Sequence, residues 1–348
     1  MPEIALPTAA KQDEILENLK VRNENGLALK KSMSQGIYKT NQLLSQEIYK
    51  YAATKDYVYV MESKRLLKLD AKTFSVVKET QGTFRNKTYE SHIKVSNNKI
   101  YVVISGTDDD GFNHTIKEID CDSLNTLKEV TYNLSLVQGS SIAISNNYLY
   151  ITGVNSNGLA VISKSDLSLV YQTSEFAASY SYVEGDDIYG YHNNSGKGSI
   201  YKYTASTKKV IRNDNTKNLN TYGMYVVGDV LHVIANQYFL QINKNTLEQI
   251  SSFLSPTPFG TVSTITNGEF SSAYYEKSIG LFFKKFTSNY DVIGIGGCPV
   301  NDLGYAIDAL QNPLADFTNI DNEYFYIMSR ATLTQFKYIT KHVGYEEV

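Results

Sequence analysis

Asn97-Asn98-Lys99-Ile100-Tyr101-Val102 is the stretch from which the fold follows: two turn-forming residues, then a strand in which apolar side chains flank a tyrosine. Asn accepts left-handed backbone angles and bonds its own backbone, so the pair closes a hairpin. The residues after it suit a half-buried strand. The same pattern stands at Lys55-Asp56-Tyr57-Val58-Tyr59-Val60, at Asn146-Asn147-Tyr148-Leu149-Tyr150-Ile151 and at Gly185-Asp186-Asp187-Ile188-Tyr189. It returns at Gly228-Asp229-Val230-Leu231-His232-Val233 and at Asn322-Glu323-Tyr324-Phe325-Tyr326-Ile327. In every copy the second turn residue stands three positions before the tyrosine, or before His232.

From Tyr59 to His232 the marker advances by 42, 49, 39 and 43 residues, and the gap of 94 from His232 to Tyr326 has room for one degenerate copy, around Thr266-Asn267-Gly268-Glu269-Phe270 and Ala273-Tyr274-Tyr275. A second marker moves in step with the first: an apolar strand, a polar residue, then a further turn. Its instances are Leu67-Lys68-Leu69-Asp70 with Thr73-Phe74, Ile116-Lys117-Glu118-Ile119-Asp120 with Ser123-Leu124, and Val161-Ile162-Ser163 with Asp166-Leu167. Two more are Ile200-Tyr201-Lys202-Tyr203-Thr204 with Thr207, and Leu240-Gln241-Ile242-Asn243 with Thr246-Leu247. A period of about 43 residues holding four short strands is the size of a propeller blade, and stacked blades bury both faces of each small sheet. A sandwich would show no such period and a solenoid normally a shorter one. The expectation is an all-β, seven-bladed β-propeller of four-stranded blades over 47–348. The last copy is short, and either Gln35-Gly36-Ile37-Tyr38-Lys39-Thr40 or the tail around His342-Val343-Gly344-Tyr345 completes it.

Composition narrows the function classes. Lys and Arg number 33 against 36 Asp and Glu, which leaves no cationic surplus for nucleic acid. Tyr is abundant, with 28 copies beside 14 Phe and no Trp, which suits pleated sheets with wet faces. The stretch Met1-Pro2-Glu3-Ile4-Ala5-Leu6-Pro7 lacks the basic start and apolar run of a signal peptide, and no segment has the roughly 20 apolar residues of a membrane helix. Neither secretion by a signal peptide nor membrane insertion is expected. Cys121 and Cys298 follow no metal-ligand spacing and are taken as independent thiols.

Residues 1–46 stand outside the repeat. Ala9 to Leu19 reads as a short helical arm capped by Thr8, with Ile15, Leu16 and Leu19 as its apolar stripe. The run Leu6-Pro7-Thr8-Ala9-Ala10-Lys11-Gln12-Asp13-Glu14-Ile15-Leu16 resembles the N-terminal segments of bacteriophage tail and other virion structural proteins. The resemblance covers about the first 20 residues. It implies a particle component, assembled in the host cytoplasm and present in multiple copies, whose arm (Thr8, Ile15, Leu16, Leu19) attaches to other virion proteins. The propeller is then free to meet a host cell-surface glycan or protein.

The residues that carry chemistry point less sharply. The five histidines are scattered over different repeats, and His232 stands where other copies have Tyr. No nucleophile elbow, phosphate loop or zinc-binding helix is present, and Ile293-Gly294-Ile295-Gly296-Gly297-Cys298 lacks the strand-turn-helix setting of a dinucleotide site. Asp108, Asp110 and Asn113 lie in an extended hairpin and are candidate ligands for Ca²⁺, against the plainer reading of a solvated hairpin tip. No other cofactor and no catalytic residue is assigned. The insertion around Pro299 to Ala315 contains Tyr305-Ala306-Ile307-Asp308-Ala309-Leu310, read as a helical turn projecting from the sixth blade. The expected function is a non-enzymatic virion structural protein of the tail or particle surface. A carbohydrate-active tail propeller enzyme and a cellular protein-interaction propeller are the alternatives.

Overall fold

The computed structural model describes residues 35–44, 48–84, 91–108, 111–134, 141–153, 158–194, 197–216, 221–235, 238–254, 262–266, 269–276, 280–286, 292–299, 316–320, 324–328 and 332–340. Their regular structure is entirely β-strand. After β1 (Gln35–Leu44) the strands run in antiparallel fours. The first sheet is β2 (Ile48–Ala53), β3 (Tyr57–Glu62), β4 (Arg65–Asp70) and β5 (Val76–Gln81), and the second is β6 (Ser91–Ser96), β7 (Lys99–Asp108), β8 (Gly111–Asp120) and β9 (Thr126–Asn133). The third is β10 (Ser141–Ile144), β11 (Tyr148–Thr152), β12 (Leu159–Ser163) and β13 (Leu169–Thr173), and the fourth is β14 (Tyr180–Glu184), β15 (Asp187–Asn194), β16 (Lys197–Thr204) and β17 (Lys209–Thr216). The fifth is β18 (Thr221–Val227), β19 (Val230–Ala235), β20 (Tyr238–Asn243) and β21 (Gln249–Leu254). Two further sheets are defined by strand pairing: β22 (Val262–Thr266) to β23 (Glu269–Glu276), β24 (Gly280–Phe286) and β25 (Val292–Pro299), then β26 (Asp316–Ile320), β27 (Tyr324–Met328) and β28 (Thr332–Thr340).

The first strands of successive sheets lie side by side, β2 by β6, β6 by β10, β10 by β14 and β14 by β18, while exposed apolar residues such as Val76, Leu127 and Leu254 fall on the last strands. Period-two alternation does the rest, because each sheet is buried on both faces. In β3, Val58 and Val60 enter one cluster with Tyr326 and Leu333, while Tyr59 and Met61 enter another with Ile100 and Val102 of the second sheet. In β7, Tyr101 and Val103 pack toward Leu149 and Ile151 of the third sheet. Tyr150 packs toward Ile188 and Tyr203, and Tyr189 toward Leu231 and Val233. In the first four sheets the recurrent tyrosine is therefore the residue by which one sheet grips the next. Burying one such ring contributes on the order of 1.5–3 kcal/mol.

The hydroxyls of several of these rings reach across the same seams. Tyr59 donates to the Cys121 carbonyl at 3.5 Å, Tyr150 to the Asp186 carbonyl, and Tyr51 to the Tyr326 carbonyl at 3.0 Å. The outer strands repeat the device: Tyr132 donates to the Leu167 carbonyl at 2.7 Å and Asn213 to the Leu247 carbonyl at 2.8 Å.

The second sequence marker is a turn that recurs with one geometry. Asp70 Oδ1 accepts from the Lys72 and Thr73 amides at 3.0 and 2.8 Å, and Asp120 and Asn243 make the same pair of bonds. These bonds hold the carboxyls of Asp70 and Asp120 below the usual carboxylate range. The residue that follows is left-handed in each, Phe74, Leu124 and Leu247 having φ of 59°, 55° and 61°, and Leu167 at the matching turn of the third sheet has φ of 61°. A left-handed side chain costs roughly 1–2 kcal/mol. All four are buried, which returns about 1.5–3 kcal/mol each, so burial wins. The turn also folds back on the neighbouring hairpin, with the amides of Ala71, Lys164 and Lys244 donating to the carbonyls of Asp56, Asn147 and Asp229 at 2.9 to 3.0 Å. One end of the sheets, the turn end, is bolted in this way. The other, the loop end, carries the links between sheets, in which Phe84, Leu134 and Phe176 are buried as plugs.

Closure of the last sheet is settled by pairing. β1 pairs with β28 from Gln35 opposite Thr340 to Leu44 opposite Thr332, giving the order β26-β27-β28-β1. Of the two closing segments, Gln35–Thr40 forms that strand, and the tail around His342 lies outside the described residues. These strand residues fall within the span 1–46 that the repeat alone leaves outside the sheets. The last sheet meets the first through the cluster of Tyr51, Val58, Tyr326 and Leu333, and Gln335 donates to the Ala71 carbonyl. Because β28 runs toward the turn end, residue 35 stands at the turn end on the outermost strand.

Candidate functional site

The residues singled out from sequence fall unevenly on this frame. Thr8, Ile15, Leu16 and Leu19 lie outside the described residues, as do Asp110 and the segment 300–315. Asp108 ends β7 opposite Gly111, and Asn113 sits in β8 between Gly106 of β7 and Asn133 of β9. Among the described residues no group of three His, Cys, Asp or Glu side chains is placed to hold a metal ion. Cys121 is a free, buried thiol whose burial pushes its pKa up. Cys298 lies in β25 opposite Leu281, so the glycine-rich run is strand.

The described histidines separate by environment. His232 occupies the tyrosine position of β19, buried and stacked on Tyr225 with centroids 4.5 Å apart and planes 6° apart. Burial pulls its pKa down to about 4, so it is neutral at physiological pH. His114 is buried in β8 with Nδ1 2.9 Å from Ser105 Oγ. His192 differs from both, because it sits half-buried at the loop end of β15 inside a polar cluster.

That cluster is the best-formed polar site among the described residues. Ser179, in the link leading to β14, places Oγ 3.2 Å from His192 Nδ1. His192 stands opposite Ser199 of β16, and directly opposed residues share a face of the sheet. Ser199 Oγ donates to Asp214 Oδ1 at 2.7 Å, and Arg212 Nε donates to the same oxygen. The Arg212 guanidinium lies over the Tyr201 ring, 5.2 Å from its centroid, and Tyr201 packs on the Phe176 plug. A bulge between Gly198 and Ile200 fits the strand ends together and brings Thr216 opposite Gly198. Burial, then the charge of Arg212, lowers the His192 pKa, while the bond to Asp214 raises that of Arg212. A neutral imidazole thus stands beside a matched ion pair. Among the described residues, Asp214 Oδ1 accepts from both Ser199 and Arg212, which ties the cluster's groups together. They form an array of hydrogen-bond donors and acceptors.

A second polar cluster lies at the turn end of the second and third sheets. Glu118 is buried and held by Lys99 and, at 3.7 Å, by Lys128. Lys164, 6% exposed, donates to Ser96 Oγ at 2.9 Å and to the Ser145 carbonyl at 2.7 Å, 5.5 Å from the Tyr101 ring centroid. Burial lowers the Lys164 pKa, and burial together with Glu118 pushes Tyr101 up to about 12. Lys68 to Asp122 at 3.0 Å and Lys244 to Glu184 at 3.1 Å join other neighbouring sheets in like manner. Lys164, Lys68 and Lys244 thus bind sheet to sheet, while Lys99 and Lys128 hold Glu118 within the second sheet. Neither cluster was read from sequence, because their members lie on different strands or sheets. The only local signal was a charged residue interrupting a turn, as at Lys164 and Lys244.

No family model matches the chain, and no curated protein matches it. Among solved structures it is similar to the crystal structure of BamB from Moraxella catarrhalis, with a TM-score of 0.51 and 14% identity over 84% of this chain and 85% of that one. The likeness extends along nearly the whole of both chains and concerns the fold alone. With the stacked four-stranded sheets it makes the fold a β-propeller.

Proposed function

We propose that this chain is a seven-bladed β-propeller serving as a non-enzymatic binding scaffold of a bacteriophage particle. The segment before β1 holds it to other virion proteins, and its loop end presents a surface to a host receptor or a neighbouring particle protein. The blade count rests on the pairing of β22 to β25 and of β26 to β28 with β1, together with the seam from Tyr326 to Tyr51.

The observation that carries the binding role is the polarity of the propeller. Residue 35 enters on the outermost strand at the turn end, where the seams are bolted by tyrosine hydroxyls and buried lysines. The links between sheets, and the cluster around His192, are at the other end. A segment attached at the turn end leaves the loop end facing away from the attachment. Loops on a rigid scaffold are where binding specificity is usually placed. The resemblance of Leu6–Leu16 to virion N-terminal segments supplies the particle as the object to which the segment attaches.

The test compares particles assembled with the full chain and with a chain that begins at residue 35, which keeps β1. The reading predicts that both chains fold and that only the full chain is incorporated. Equal incorporation would overturn the anchoring role of residues 1–34.

A further inference from the structure

We propose that β21, the outer strand of the fifth sheet, pairs antiparallel with β21 of a second copy of this chain, so that two fifth sheets join edge to edge about a two-fold axis at Ser252. The pairing is a property of the chain whether or not it belongs to a particle.

The last strand of an antiparallel sheet aims a row of backbone N–H and C=O groups outward, and proteins blunt such edges with charge. β5 carries Lys78 and Glu79, β9 carries Lys128 and Glu129, and β17 carries Lys209, Arg212 and Asp214. β21 has no charged residue from Gln249 to Leu254, and its large apolar side chains all meet solvent: Ile250 is 56% exposed, Phe253 46% and Leu254 63%. Among the described residues β21 pairs with β20 and with no further strand. The uncharged β13 differs, because Val170 and Tyr171 pack against the core between the third and fourth sheets.

The edge also matches itself. Ser252 and Leu254 stand opposite Leu240 and Tyr238 of β20, and Ser251 and Phe253 opposite Gln241 and Phe239, so the strand alternates regularly over this stretch. The register skips Ile250, a bulge that ends the flat edge there. A two-fold axis at Ser252 sets Ile250 against Leu254 of the second copy, Leu254 against Ile250, and Ser251 against Phe253. Ser252 faces its own counterpart, where two hydroxyls can bond each other. Large apolar groups thus meet at both ends of the ladder, and small ones lie on the axis. Ser251 Oγ already donates to Gln241 Oε1 at 2.6 Å, so covering it does not strand the hydroxyl. The lack of charge also selects the occupant. A strand of another protein would be steered by charges complementary to the edge, and β21 offers none, whereas a second β21 brings neither repulsion nor an unpaired charge to bury. A surface that pairs with itself in this way closes at two copies. So short a ladder is a small interface, so the dimer is reversible and depends on concentration.

The experiment is sedimentation equilibrium of the full chain over a range of concentrations, repeated on Ile250→Glu, on Leu254→Lys and on an equimolar mixture of the two. The unaltered chain is expected to form dimers reversibly. Each variant alone should weaken the association by at least about tenfold, since a charge would then press on an apolar side chain at both ends of the ladder. The mixture should recover association at low salt, because the register sets the introduced carboxylate against the introduced ammonium at one end and keeps the apolar pair at the other. Recovery also shows that both variants fold, and circular dichroism of each alone checks the same point. A monomeric unaltered chain at submillimolar concentration would overturn the proposal. A dimer indifferent to both substitutions would overturn it too, since its contact must lie on another surface. Loss of association in two folded variants without recovery in their mixture would contradict the two-fold register at Ser252 and overturn it as well.

Discussion

The clearest quantitative consequence of the fold concerns His232. Its imidazole stands at the tyrosine position of the fifth sheet, and burial lowers its pKa from 6.5 to about 4. A base whose folded pKa lies below its unfolded value binds its proton more readily when unfolded. Stability is therefore complete above pH 6.5 and is lost as pH falls through the window down to about 4. Linkage sets the size of the loss at about 2 kcal/mol by pH 5 and about 3 kcal/mol below pH 4. His232→Phe keeps a ring against Tyr225 and removes the titration. Urea unfolding of both proteins across this range isolates the contribution, because the other titrating groups cancel in the difference. The variant is expected to lose about 2 kcal/mol less than the parent between neutral pH and pH 5. Parallel pH profiles for the two proteins would refute the burial of a neutral His232 imidazole against Tyr225.

Other substitutions test other joints. Gly190→Ala would put its Cβ 2.7 Å from Phe176 Cζ and 2.8 Å from Ala178 Cβ, and is expected to lower stability by about 1–3 kcal/mol in urea unfolding, with part restored by adding Phe176→Leu. Tyr150→Phe removes the hydroxyl that bonds the Asp186 carbonyl and should cost about 1 kcal/mol by the same assay. Glu118→Gln leaves Lys99 and Lys128 without their carboxylate. Because those lysines are 37% and 38% exposed, a loss of roughly 2 kcal/mol is expected, smaller at high salt, rather than that of a fully buried pair.

Much of the architecture was legible because it is periodic. The turn pair before Tyr59, Tyr101, Tyr150 and Tyr189 marks the hairpin in every copy, and the apolar residues on either side mark the strand. The second turn was legible at Asp70, Asp120 and Asn243 because an Asx side chain announces its own turn, although nothing local shows that the next residue is left-handed and buried. What the tyrosine does was hidden, since a period-two strand has two faces and the sequence does not say which sheet each face meets. The closing strand was legible only as one of two candidates: Gln35 finds Thr340 across nearly the whole chain, and pairing at that separation leaves no local pattern by which to choose Gln35–Thr40 over the tail around His342. The cluster around His192 was missed because Ser179, Ser199 and Asp214 lie on separate segments and converge through strand register and a bulge. The carboxylate-rich hairpin at Asp108 drew attention through composition, whereas the polar array formed where composition is ordinary.

The central claim is that this propeller is a particle component held by its N-terminal segment, and quantitative mass spectrometry of purified virions from the source tests it most directly. The account predicts the chain at a fixed ratio to the other structural proteins, with peptides from residues 1–34 cross-linked to one of them. Particles that carry no copy of the chain would contradict it and leave a propeller whose binding partner belongs to the cell.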